Sequence, residues 1–186
     1  MPFYRRLYVP GCIYFFTVVT FERRKFLVDE LARKVLHQAY QDTQSRHPFE
    51  SLAICLLPDH LHCLWQLPEN DSNFSIRWAS IKGIFSRNYL QSGGMESERN
   101  ASRMAHREVA IWQRRFWEHL IRDEEDLERH FDYIHYNPIH HGYVSELEKW
   151  PWSTFHRYYE KGQYSANWGH SRPESVYGIE MAGDVE

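Results

Sequence analysis

The sequence predicts an α+β fold, in which an antiparallel sheet is covered by helices. Three observations predict it: runs of β-branched and aromatic residues typical of strands, apolar residues at helical spacing, and the regular alternation of the two along the chain. At 186 residues, the chain is long enough to bury a core of its own as one domain.

The first half contains three strands and two helices. Gly11 to Thr20 follows a Pro-Gly turn and predicts a buried strand, and the apolar spacing of 29–46 predicts a helix that ends before Pro48. Two strands, 52–57 and 61–67, flank a short turn, and 74–90 predicts a second amphipathic helix.

The second half begins with a polar segment, 91–108, which predicts a mobile loop. A strand is expected within 111–120, followed by an acidic helix from Asp123 that Asn137-Pro138 should stop. The order β-α-β-β-α-β is the ferredoxin-like arrangement of an antiparallel sheet, here with an additional C-terminal helix. The domain is predicted to span 1–161, and the polar segment 162–186 is expected to be weakly ordered.

The composition restricts the setting of the protein. Three cysteines in apolar runs predict buried thiols in a reducing compartment, and neither a secretion signal nor a membrane-spanning run is present. We therefore expect a cytoplasmic protein with no membrane partner. The formal net charge of −3 argues against nucleic-acid binding taken alone. A local basic face can still bind phosphates, because screening limits charge effects to about 10 Å.

His60-Leu61-His62 opens the third predicted strand. Side chains at i and i+2 of a strand point to the same face, with about 7 Å between their Cα atoms. Two imidazoles arranged in this way are able to share one metal ion. A chance or structural pair remains an equal alternative, since the chain has 12 histidines.

The segment Tyr133-Ile-His-Tyr-Asn137-Pro138 lies at the end of the last predicted helix. Residues four apart share a helix face, so Tyr133 lies beside Asn137, whose amide oxygen is a candidate third metal ligand. Core packing is the ordinary role of a tyrosine on an amphipathic helix. Tyr136 is the rival candidate for a nucleophile, three residues away.

Several motifs taken together resemble the REP-associated tyrosine transposases, a branch of the single-tyrosine transposases. They are found in 55–65, 113–121 and 132–144, and also in 11–20 with Arg23-Arg24 and in 150–153. The likeness covers residues 3–158. His140 stands where the family commonly has a lysine, and the segment 91–108 is long, which affects the expected hairpin specificity more than the chemistry.

The resemblance implies a function and roles for individual residues. It implies that His60, His62 and Asn137 bind a divalent metal, Mg²⁺ or Mn²⁺, and that Tyr133 is the nucleophile. The implied activity is cleavage and rejoining of single-stranded DNA at hairpin-forming REP palindromes, through a 5′-phosphotyrosine. A non-catalytic nucleic-acid-binding module and a metal hydrolase that uses water remain as alternatives, and the protein is expected to be a monomer or a homodimer.

Basic residues near the amino terminus, and two more at the edge of the strand expected in 111–120, are candidate DNA contacts. They are Arg5, Arg6, Arg23, Arg24, Lys25, Arg114 and Arg115. For each of them, solvated surface charge is the alternative to a phosphate contact.

Overall fold

The fold is built on a four-stranded sheet in a computed structural model that describes residues 6–179. The strands are β1 (Ile13–Val19), β2 (Glu50–Leu56), β3 (His60–Gln66) and β4 (Trp117–Leu120). The described α-helices are α1 (Glu30–Arg46), α2 (Phe74–Gln91), α3 (Ala101–Ala105), α4 (Glu124–His140) and α5 (Phe155–Glu160). Within 6–179, no helix combines the length and the apolar character needed to cross a membrane.

The strands lie in the order β2-β3-β1-β4, and each neighbouring pair is antiparallel. This order and the placement of α1 and α2 confirm the predicted α+β class and its ferredoxin-like arrangement. In the register of β1 with β3, Thr17 pairs with His62 and Val19 with His60. The end of β1 therefore lies beside the beginning of β3.

The two faces of the sheet pack against different helices, because successive side chains of a strand point to opposite sides. Phe16 and Trp65 belong to the core formed with α1 and α2. Phe15 and Leu64 belong to the core formed with α4. His60 and His62 lie on the same face as Leu64 by this alternation, so the histidine pair is directed toward α4.

The first of these cores is rich in aromatic rings. Trp65 stacks on Trp78 of α2 with ring centroids 4.4 Å apart. The ring centroid of Phe49 lies 4.1 Å from that of Trp65. Both tryptophans are fully buried. They stabilise the core and are not available to stack on unpaired bases.

The segment between α2 and β4 differs from its prediction. It contains α3, whose first turn is capped by Asn100, and the buried guanidinium of Arg103 donates to the carbonyls of Val109 and Trp112. The expected strand over 111–120 is reduced to β4, with an isolated bridge from Trp112 to Thr20. These Arg103 bonds, which periodicity does not reveal, fold the segment on itself, and the bond from Lys82 Nζ of α2 to the carbonyl of Gln113 attaches it to the body.

The helix α4 was predicted to stop at Asn137. In the structure it continues to His140, with Pro138 inside it. A proline this close to the helix end removes a single helical hydrogen bond, so the helix tolerates it. At the other end, the Asp123 side chain accepts from the backbone N–H of Asp126 and caps the first turn. The continuation adds one more turn to the face that carries Tyr133.

The described part of the C-terminal segment, 162–179, packs against α4. Ser175 donates to the Asp132 carboxylate at 2.6 Å, Tyr164 donates to the same carboxylate at 3.2 Å, and Val176 is buried. The weak order expected for 162–186 stays a prediction, and residues 180–186 of that range lie outside the described part of the chain. The polar composition of the segment did not reveal the few side chains that anchor it.

Candidate functional site

His60 and His62 form the centre of the candidate site. Both imidazoles are buried, and their ring centroids lie 4.8 Å apart at the beginning of β3. The hairpin turn before β3 places them at the end of the sheet, on the face covered by α4. The structure thus brings together the two side chains as the strand pattern predicted, and it places them below the α4 helix.

Each histidine is oriented through its Nδ1 atom. His60 Nδ1 lies 2.7 Å from Asp59 Oδ1, and His62 Nδ1 lies 2.9 Å from Thr17 Oγ1 on β1. A histidine held in this way has a fixed ring direction, and it presents the Nε2 lone pair to a metal ion when Nδ1 carries the proton. His62 Nε2 is buried and has no hydrogen-bond partner among residues 6–179.

The protonation states suit metal binding. Burial, with His60 and His141 nearby, lowers the pKa of His62 well below its usual value, so its imidazole is neutral at pH 7. Burial raises the pKa of Asp59, but the hydrogen bonds from His60 and Arg23 outweigh it and bring this pKa to about 2. Asp59 is therefore ionised, and its carboxylate lies against His60 Nδ1.

Tyr133 lies directly against His62. Its ring centroid is 5.2 Å from that of His62, in an edge-to-face arrangement, and 6.0 Å from that of Phe15. Phe15 also contacts His62, at 5.5 Å, so it fills the space beneath both rings. With 5 % of its surface exposed, the side chain of Tyr133 has one direction available to it.

Asn137 is one helical turn beyond Tyr133, on the same face of α4. It is completely buried, and neither its Oδ1 nor its Nδ2 has a hydrogen-bond partner in the described part of the chain. A buried amide without a partner costs about 1–3 kcal/mol. Together with His62 Nε2, it provides unsatisfied polar atoms of the kind that a cation would use, so these residues fit a divalent metal.

His141 is a member of the site that sequence reasoning missed. Its ring centroid lies 5.2 Å from that of His60. The signal that could have found it is the helical period, since Tyr133, Asn137 and His141 are spaced by four residues. The prediction that the helix ends at Asn137 concealed this relationship.

Tyr136 points elsewhere. Its ring contacts Trp168 of the C-terminal segment, with centroids 6.5 Å apart. Among residues 6–179, no ring contact joins Tyr136 to His60 or His62, whereas the ring of Tyr133 lies against His62.

The candidate DNA-contacting residues are dispersed. Arg23 pairs with Asp59 at 3.3 Å, which places it at the edge of the histidine site. Arg6 pairs with Glu118 at 3.3 Å and lies over Phe116, on the α2 side of the molecule. Arg24 lies over the ring of Phe26, and Arg114 pairs with Glu108. Lys25 and Arg115 are exposed, and Arg5 lies outside the described residues.

A cationic groove lies between α2 and the segment before β4, with a volume of about 920 Å³. Its described lining contains one carboxylate, Glu108, and five basic side chains: Lys82, Arg87, Arg103, Arg107 and Arg114. Gln113 forms part of the rim of the groove. Its backbone N–H donates to the carbonyl of Val19, and Val19 pairs with His60 across β1 and β3. The groove therefore starts at the same end of the sheet as the histidine pair.

His119, Asp126 and His130 form a separate cluster between β4 and α4. Their possible ligand atoms lie within 4.8 Å of one another. Asp126 Oδ2 already accepts from His119 Nε2 at 2.8 Å and from the side chain of Arg122 at 3.0 Å, and the two imidazoles are stacked nearly parallel. Parallel rings do not direct their lone pairs at one point, so we interpret this cluster as an ion-pair network that fastens α4 to β4.

Comparison with known proteins identifies the class. Residues 8–137, more than half of the chain, match the family described as Transposase IS200 like. The fold and this match define the chain's class as that of the IS200-like transposases.

More similar relatives define its place within that class. A Haemophilus influenzae protein that carries the name of a REP-associated tyrosine transposase is 47% identical over 182 residues, which is 98% of both chains. The Escherichia coli K12 REP-associated tyrosine transposase is 39% identical over 165 residues, or 89% of both. A solved REP-associated tyrosine transposase, bound to a REP hairpin, superposes with a TM-score of 0.75 at 38% identity and 94% coverage of both chains. The chain belongs to the REP-associated tyrosine transposases.

Proposed function

We propose that this transposase cuts and rejoins single-stranded DNA at hairpin-forming REP palindromes, with Tyr133 as the nucleophile. The observation that carries the proposal is the contact between the rings of Tyr133 and His62, 5.2 Å apart. This contact supports the proposal because the ring that carries the hydroxyl lies against one of the two oriented imidazoles. The DNA substrate is inferred from the relatives, one of which was solved with a REP hairpin.

His60, His62 and Asn137 are proposed to hold one divalent ion, Mg²⁺ or Mn²⁺. When bound, the ion would supply positive charge against the scissile phosphate. All three ligands are neutral, so they do not diminish that charge. Thr17 and Asp59 keep the two imidazoles directed toward the same place through their bonds to Nδ1.

The proposed reaction exchanges one phosphate ester for another. The Tyr133 oxygen forms a bond with the phosphorus and gives up its proton, while the bond between phosphorus and the 3′-oxygen breaks and that oxygen takes up a proton. The products are a 5′-phosphotyrosine and a free 3′-hydroxyl. A second 3′-hydroxyl then attacks the same phosphorus and releases Tyr133, so strands are joined without ATP.

The surroundings of Tyr133 favour this exchange over hydrolysis. Phe15 and His62 surround its ring and fix its direction, which lowers the entropy cost of reaching the phosphorus. Its small exposed fraction also limits the access of water to the same side. A water-using hydrolase has no need for a phenol held in this way.

The cationic groove is proposed to bind the DNA that flanks the scissile phosphate. Its five basic side chains lie on a chain with a net charge of −3, so the positive charge is concentrated locally. Burial, with Arg6 and Arg103 nearby, lowers the pKa of Lys82 to about 7, and a bound phosphate would favour its charged form. DNA leaving the histidine pair reaches the groove over the rim at Gln113.

The experiment is a denaturing gel with a labelled single-stranded REP hairpin in the presence of Mn²⁺. Wild type should give a protein-linked DNA species, and Tyr133→Phe should abolish it without loss of DNA binding. Tyr136→Phe is the matched control, because it removes a hydroxyl from the same helix but away from the site, and it should retain activity.

Three outcomes would contradict the proposal. Free fragments without a linked species would favour the water-using hydrolase. Binding without any metal-stimulated product would favour the non-catalytic module. Cleavage that survives Tyr133→Phe and is lost with Tyr136→Phe would assign the nucleophile to the other tyrosine.

A further inference from the structure

We propose that Tyr164 and Ser175 of the C-terminal segment are positioning residues for Tyr133. Their hydroxyls hold α4 at the rotation about its own axis that places the ring of Tyr133 against His62. This inference rests on the proposed function, because it gives the two hydroxyls a part in cleavage by Tyr133.

The residue just before Tyr133 in the chain is anchored by both hydroxyls. One oxygen of the Asp132 carboxylate accepts from Ser175 Oγ at 2.6 Å, and the other accepts from the Tyr164 hydroxyl at 3.2 Å. The Asp132 side chain is buried. Both oxygens of this carboxylate are therefore held by the same segment of the chain.

A second anchor follows Tyr133 by two residues. His135 is completely buried, with Nδ1 lying 2.8 Å from the Tyr164 hydroxyl and Nε2 lying 2.9 Å from Thr154 Oγ1. Thr154 is in turn bonded to the backbone of Ile54 on β2. The Tyr164 hydroxyl thus contacts a side chain on either side of Tyr133 in the sequence, and one of the two is connected to the sheet.

These bonds constrain the rotation of α4 more closely than its apolar contacts do. Hydrophobic contacts are non-directional, whereas a hydrogen bond has a preferred distance and angle. At 3.6 residues per turn, Asp132 and His135 lie about 100° and about 200° away from Tyr133 around the helix. They therefore hold α4 from other directions than the one in which Tyr133 meets the sheet, and they resist its rotation.

A small rotation of α4 has a large effect at the Tyr133 hydroxyl. The α-carbons of a helix lie about 2.3 Å from its axis, and the phenol oxygen lies much farther out, so it moves farther for the same angle. A misplacement of about 1 Å is able to reduce a reaction rate about 100-fold. The cationic groove lies along α2, on the other face of the sheet, and makes no use of these hydroxyls. Their loss should therefore slow the reaction and leave DNA binding unchanged.

The test measures two quantities on the full chain with a labelled REP hairpin and Mn²⁺. One is the single-turnover rate of the protein-linked species at saturating DNA, and the other is the dissociation constant from fluorescence anisotropy. Tyr164→Phe keeps the ring that packs on Trp168. This variant and Ser175→Ala should each lower the rate about 10- to 100-fold without changing the dissociation constant.

Two further variants serve as controls. Ser175→Thr keeps a hydroxyl at this position and should retain the wild-type rate. Tyr158→Phe removes a neighbouring phenol hydroxyl that donates to the carbonyl of Leu52 on β2 and not to α4, so it should also react like wild type. Thermal unfolding of each variant verifies that it is folded at the temperature of the assay.

The outcomes separate the inference from the proposed function. A hydroxyl that only stabilises the fold would lower the unfolding midpoint and leave the rate unchanged, and this result for both Tyr164→Phe and Ser175→Ala would overturn the inference. An equal loss of rate in Tyr158→Phe would also overturn it. If the linked species forms in wild type and is lost in Tyr133→Phe, the proposed function stands whatever these variants do. A wild-type protein that forms no linked species would overturn both.

Discussion

Thr17 pairs with His62 across β1 and β3, and the Thr17 hydroxyl also lies 2.9 Å from His62 Nδ1. The register of the sheet therefore decides the direction in which His62 presents Nε2. A shift of β3 by one residue in this register would turn His62 to the opposite face, away from Thr17. The geometry of the candidate metal site therefore depends on the pairing of β1 with β3.

Thr17→Val should weaken metal binding while preserving the fold. Valine keeps the shape of threonine but frees His62 Nδ1, and loss of such a partner lowers metal affinity by about 10–100-fold. Titration with Mn²⁺ measures the change. Thr43→Val is the control, because it removes an equally buried hydroxyl that bonds to Ser80, away from the site. Equal affinities of the two variants would show that the hydroxyl does not orient His62.

Asn137→Leu should make the metal-free protein more stable and abolish cleavage. Leucine has the same branching as asparagine and removes two buried polar atoms that have no partner within residues 6–179, a gain of about 1 kcal/mol or more. Urea unfolding in EDTA measures it. Asn73→Leu should instead destabilise by about 1 kcal/mol, because Asn73 caps α2 through the N–H of Ile76. A loss of stability in Asn137→Leu would mean that the amide has partners in the folded protein.

His135 should make the protein sensitive to mild acid. Burial, with Arg157 nearby, lowers the pKa of His135 to about 3, whereas the unfolded chain has the ordinary value near 6.5. The unfolded state therefore binds more protons between these values, and stability falls as the pH is lowered through this window, by up to about 1.4 kcal/mol per pH unit.

Urea unfolding between pH 7 and pH 4 checks this dependence. His135→Gln should be less stable at pH 7, because His135 bonds to both Tyr164 and Thr154, but its stability should fall less steeply in acid. His37→Gln, at an exposed position on α1, should retain the wild-type slope. Parallel slopes for all three proteins would show that His135 is not protonated on unfolding.

Charge reversal in the cationic groove should weaken DNA binding without altering the chemistry. Arg87→Glu combined with Arg107→Glu removes two exposed positive charges from the groove lining. If both contact phosphates, the slope of log K against log salt should become less steep by about 1 to 2. Fluorescence anisotropy with a labelled hairpin measures this slope. Arg46→Glu, an exposed change outside the lining, is the control, and an equal effect there would indicate a general charge effect.

The sequence predicted the elements that depend on local patterns. β1, β3, α1 and α2 were found close to their expected positions, because their apolar periodicity is continuous and is bounded by turn residues. The segment before β4 was predicted less well, since the buried Arg103 side chain organises it through bonds to the carbonyls of Val109 and Trp112. The end of α4 was predicted at a proline that the last helical turn tolerates.

The sequence by itself determined the order of the elements, the family, and the shared face of His60 and His62, because these follow from patterns along neighbouring residues. Only the tertiary structure decided that Tyr133 contacts His62, that Asn137 is buried without a partner in the described chain, and that His141 lies against His60. Contacts between a strand and a helix some 70 residues later depend on how the two pack. Packing is set by the whole core, and no local spacing encodes it.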